Sequence, residues 1–209
     1  MLPDKLSLLE LDKVILKSGS HQDRGTAMCA MEIVSWLAGE PNSDQAACAC
    51  PVIGAFMRAW NDAIQDDEER TRLLRPLLPA LVGTKSTAAV ALRRSYLAFD
   101  WLARVQAPAW MDLTPALQSH AETLRGLAPL ADKVSVAAAR EALTAASTAS
   151  VAAWAAAGAA AGAAARAAAW AAAWAAAWER LRPTREALQR GAIDLVRRMV
   201  AIHDEGASA

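Results

Sequence analysis

Along the first 130 residues, apolar side chains recur at three- and four-residue steps, the period of an amphipathic helix. The two-residue alternation of strands barely appears. Asp4, after Pro3, is expected to cap a helix to about Lys17. "SGSHQDRG" reads as a loop. Thr26 is placed to cap "AMCAMEIVSWLAG", which should stop near Gly39. "EPNSDQAACAC" is a polar connector, and Pro51 suits the first position of a helix over "PVIGAFMRAWNDAI".

Asp66, Asp67, Glu68 and Glu69 precede "RTRLLRPLLPALVG", where acids complement the positive end of a helix. Pro76 and Pro79 then predict a short, kinked segment. Ser86 or Thr87 opens "AAVALRRSYLAFDWLARV", and "QAPAWMDLT" reads as a turn-rich connector. Thr114 and Pro115 form an N-cap and first-residue pair for "PALQSHAETLRGL".

The pattern changes at about Ala131. No proline follows until Pro183, and alanine dominates, the best helix former. One helix of roughly 45–50 residues is predicted, about 70 Å long. Thr184 is expected to cap a last helix, in which Leu188, Ala192, Leu195, Met199 and Ile202 step by four, three, four and three, a short coiled-coil-like seam. The fold class is therefore all-α: a compact multi-helix body over 1–130, a long Ala/Trp-rich helix over 131–182, and a C-terminal amphipathic helix with its tail over 183–209. Short connections make the body helices packing neighbours.

Inside the long helix, every fourth residue from Trp154 to Trp178 breaks the alanine: Trp154, Gly158, Gly162, Arg166, Trp170, Trp174 and Trp178. A four-residue step drifts by about 40° per rung at about 100° per residue. Trp170, Trp174 and Trp178 thus form one tight stripe, while Trp154 faces elsewhere. A continuous zipper needs a period of 3.5 or 11/3, so the ladder is not one along its whole length. Three tryptophans can bury roughly 500 Å², more than a soluble monomer usually exposes in one patch. The protein's own body or C-terminal helix is the first expected cover, and a second copy of the chain the next. Of the 28 residues from Val151 to Trp178, 20 are alanine. Tandem duplication of a short coding unit would leave such a run.

Composition changes the picture at three points. Lys+Arg and Asp+Glu both number 22, so no net field draws the chain to nucleic acid. Val151–Trp178 is long enough to span a bilayer, but alanine is barely lipophilic and Arg166 sits near its middle, where a charge is costly. No membrane span is expected, despite the small-xxx-small spacing of "GAAAG". The three cysteines, Cys29, Cys48 and Cys50, are too few for a disulfide scaffold, and the N-terminus lacks the apolar core of a signal peptide. A cytoplasmic setting is expected.

The candidate chemistry lies in "SHQDRGTAMCAME…SDQAACAC". Cys29 and Glu32 share a helix face, His21 precedes that helix, and Cys48 returns from the next connector. Thiolate, imidazole and carboxylate together can ligate zinc, so His21, Cys29, Glu32 and Cys48 are the candidate metal ligands. Buried free cysteines, or a Cys29–Cys48 disulfide, are the competing readings. No CxxC, HExxH, P-loop, GxGxxG or GxSxG motif is present, and no catalytic residue is assigned. Asp62–Glu69 lacks the glycine and ligand spacing of a calcium loop and reads as a solvated helix start. His120 reads as a surface or capping histidine.

Residues 19–62, "GSHQDRGTAMCAMEIVSWLAGEPNSDQAACACPVIGAFMRAWND", resemble a family of uncharacterised bacterial and phage-encoded proteins. The likeness continues through "RTRLLRPLLPALVGT", "DWLARVQAPAWMDL" and "HAETLRGLAPLAD" and covers roughly residues 4–133. It implies that His21, Cys29, Glu32, Cys48, Asn61 and Asp62 belong to a shared pattern, and it implies no activity. The expected function is that of a structural or protein-interaction helical protein, associating with itself or another helical protein through its C-terminal helices. Trp170, Trp174, Trp178, Leu188, Leu195 and Met199 would form that surface. The alternative is a zinc-type metal-binding protein or hydrolase built on residues 21–50.

Overall fold

The computed structural model describes residues 7–25, 27–161 and 167–203, without the side chains of 8–9 and 152–180. The fold is all-α, and the described residues form no sheet. The chain packs as two compact units: Met1–Ala98 with Ile193–Ala209, and Phe99–Ala192. No helix among the described residues is long and apolar enough to cross a membrane.

In the first unit, α1 (Leu8–Leu11) is a single turn closed by a capping box between Ser7 and Glu10. Asp4 lies outside the described residues, and the helix expected to run to about Lys17 is not made beyond Leu11: Asp12 and Lys13 form a turn and the chain then extends to the bridge of Leu16 with Met28. The centre is α2 (Ala30–Ala38), which is buried on every side from Ala30 to Leu37, Glu32 and Ser35 included, and otherwise apolar, as suits a helix enclosed by neighbours. It ends at Gly39, whose φ of 74° is left-handed, where glycine avoids the Cβ clash. Pro51 opens α3 (Pro51–Ala63), whose Ile53, Met57 and Asn61 lie four residues apart on the buried face. Asp66 caps α4 (Asp67–Leu74) by accepting from the Glu69 N–H, so the acidic run is a helix start. The two prolines that predict a kink lie in a 3₁₀ helix, Arg75–Leu81, with Leu77, Leu78 and Leu81 buried.

The helix α5 (Ala88–Trp101) leads into the second unit through a π-helical turn, Leu102–Gln106, and α6 (Ala107–Met111). A connector is expected here, and the chain stays helical instead. Pro108 has no N–H to give, and the π turn, in which the Ala107 N–H reaches Leu102 O, absorbs the mismatch. A 3₁₀ turn (Pro115–Leu117) precedes α7 (Gln118–Gly126); Thr114 supplies its backbone carbonyl there, not the expected side-chain cap.

Asp132 accepts from the Ser135 N–H at 2.8 Å where α8 (Lys133–Ala161) begins. Ala139 of α8 packs with Ala103 and Leu130, flanked by Phe99, Leu127, Val136 and Leu143. Residues 162–166 of the expected long helix lie outside the described residues, as does Thr26. From Ala167, α9 runs unbroken to Ala201 with Pro183 inside it. The break expected at Pro183, with Thr184 as a new cap, is thus not made. Proline there removes one i→i−4 bond, and strong helix formers on both sides carry the helix across it.

Candidate functional site

The densest polar cluster grows from the start of α2. Four N–H groups at a helix start have no partner within the helix, and an acid at its third position can serve them. Glu32 does this while almost fully buried. Its carboxylate accepts from the Cys29 N–H at 2.7 Å, the His21 N–H at 2.5 Å and His21 Nδ1 at 2.9 Å. A carboxylate only accepts, so Nδ1 carries a proton in this bond. Burying a carboxylate without such donors would cost several kcal/mol. Asn42 Nδ2 donates to His21 O at 2.8 Å and holds the same loop from the other side.

The second half of the cluster joins α3 and α4 to that loop. The buried amide of Asn61 accepts from the Ala30 N–H at 3.2 Å and donates to Lys17 O at 2.9 Å. Asp62 Oδ1 accepts from Asn61 Nδ2 at 2.9 Å and from the Gly19 N–H at 2.8 Å. Arg70, also buried, donates from Nε to Asn61 O at 2.8 Å and from its terminal nitrogens to Leu16 O, Ile64 O and the Asp67 carboxylate. Thr71 Oγ1 accepts from the Leu16 N–H at 2.8 Å. A parallel bridge between Leu16 and Met28 completes the enclosure. Lys17 and Arg70 beside Asp67 hold its carboxyl below the usual range.

The three cysteines are free and differ in state. Burial pushes the Cys29 thiol up to about 12, with the Glu32 charge adding to it. Burial also raises Cys48, whose neighbours are Glu40 and the Gly83 backbone. At Cys50 burial again acts upward, but the Arg94 guanidinium and the Ile53 and Val52 N–H groups outweigh it and hold the thiol below its ordinary value.

The four expected metal ligands therefore do not converge. His21 and Glu32 meet, Cys29 touches Glu32 through its backbone, and Cys48 lies with Glu40. Among the described residues no three His, Cys, Asp or Glu side chains are grouped to hold a metal ion. The physical reasons are local. Three N–H donors already engage the Glu32 carboxylate, and Cys48 lies with Glu40 rather than with His21 and Glu32. The Cys29–Cys48 disulfide is not formed either.

The expected interaction residues divide as well. Leu188, Leu195 and Met199 are buried within the chain itself, so this seam is internal packing. The side chains of Trp170, Trp174 and Trp178 lie outside the described residues. Arg70 and Arg94 are buried residues to which the sequence alone assigned no role. Arg94 Nε donates to Met199 O at 2.8 Å, and its terminal nitrogens to Ile202 O at 2.7 Å and Thr84 O at 2.5 Å. A signal was available, because Arg94 stands midway between Val90 and Ala98 at four-residue steps, on the buried face of α5.

The surface of the described residues also carries hollows. One, of about 300 Å³, is lined by Ile15, Glu68, Thr71, Arg72, Arg75 and Pro76. Another, of about 210 Å³, includes Met31, Gln45, Cys50, Arg58 and Lys85. Neither lining includes a histidine to serve as base, and Glu32 contributes to neither. In the second unit, Leu102, Val105, Trp110 and Leu113 are exposed within one short stretch. Comparison with protein-family models, curated proteins and solved structures finds no match. The resemblance noted for residues 4–133 rests on its motif residues alone.

Proposed function

We propose that this chain is a non-catalytic helical protein that acts by self-association, through the tryptophan-bearing part of α9. The observation that carries the non-catalytic half is the use of Glu32, Asn61 and Arg70. Each is buried, and each is bonded to backbone groups of the loop and helices around it. Such groups shape a fold and are not free to serve a substrate.

The self-association half rests on the helix pattern. Trp170, Trp174 and Trp178 fall within α9 and span about 80° of its circumference. Leu188, Leu195 and Met199 are engaged inside the chain, so the self-association reading rests on Trp170, Trp174 and Trp178. Three tryptophans from each of two copies would bury on the order of 1,000 Å², the lower bound for a specific interface. A reversible, concentration-dependent dimer is the expected consequence.

Sedimentation velocity on the full chain tests this. A shift from monomer to dimer with rising concentration, abolished by Trp170→Ala, Trp174→Ala and Trp178→Ala together, is the expected result. A monomer at every concentration overturns the proposal.

A further inference from the structure

We draw no further inference here: the strongest candidate, the hollow of about 210 Å³ at the start of α3 lined by Cys50, Arg58 and Lys85, joins one buried cysteine at a helix N-terminus to surface cations, and nothing in the structure points to a ligand there.

Discussion

Arg94 and Met199 lie 105 residues apart, and the Arg94 Nε–H donates to the Met199 carbonyl at 2.8 Å. The last carbonyls of a helix have no partner within it. Here one buried guanidinium serves two carbonyls at the end of α9, of Met199 and Ile202, and holds Thr84 O as well. This fastens the C-terminal turns to the body of the first unit. Arg94→Ala removes three charge-assisted bonds, leaving Met199 O with the Ile202 N–H at 3.3 Å, and should cost about 3 kcal/mol. Arg94→Lys should recover only part, because an ammonium lacks the planar fork that reaches several acceptors. Urea unfolding of the three proteins measures this. An unchanged midpoint for Arg94→Ala would show that the clamp contributes nothing.

Glu32→Gln tests the loop anchor at the start of α2. Glutamine keeps one acceptor oxygen and presents an NH₂ where N–H donors now converge from His21 and Cys29. The expected loss is about 2 kcal/mol. Hydrogen exchange at the His21 and Cys29 amides should accelerate more than exchange in α7, which belongs to the other unit. Equal acceleration in both places would mean a global loss of stability rather than a released loop.

The Cys29 thiol makes a prediction about alkaline pH. Its folded value of about 12 lies above the ordinary 9.0. The folded state therefore holds this proton more tightly than the unfolded chain. The stabilisation is fully present below pH 9 and is lost as pH rises towards 12, with a limiting slope of about 1.4 kcal/mol per pH unit. Cys29→Ala should flatten the fall in stability above pH 9. In the native protein at pH 8, iodoacetamide should spare Cys29 and label it only after unfolding. Rapid native labelling of Cys29 would contradict the burial that raises it.

How much of this was legible in the sequence follows from what each residue's partners are. Gly39, Pro51 and Asp66 act through bonds within a few residues, and their roles as stop, start and cap were readable from local pattern. The pairing of His21 with Glu32 was within reach for the same reason. The burial of Arg94 has a local signal in its four-residue spacing from Val90 and Ala98, but the partners of Arg70 and Arg94, among them Leu16 and Met199, come from distant segments and have none. A buried arginine looks like a surface one until the face it occupies is known. The seam of Leu188, Leu195 and Met199 is apolar in the sequence and buried in the chain, but periodicity does not say which surface covers it. Pro183 misled for a related reason: the cost of one proline, about 3 kcal/mol, is an argument against a helix only when its flanks are weak.

Gly191 offers a test inside the second unit. A Cβ there would meet Trp101 Nε1 at 3.0 Å, closer than ordinary contact. Trp101 is buried, so its indole has little room to withdraw. Glycine in mid-helix costs about 1 kcal/mol relative to alanine, and its presence in α9 is accounted for by this close approach. Gly191→Ala sets that helix gain against a shift of a few tenths of an ångström in the indole, so its net effect should be small. Gly191→Val adds two γ-methyl groups and should overpack the contact, costing about 1–3 kcal/mol. Thermal unfolding of both variants reads the difference, and tryptophan fluorescence should change with Gly191→Val. If valine were tolerated as well as alanine, α9 would not lie against Trp101 in solution.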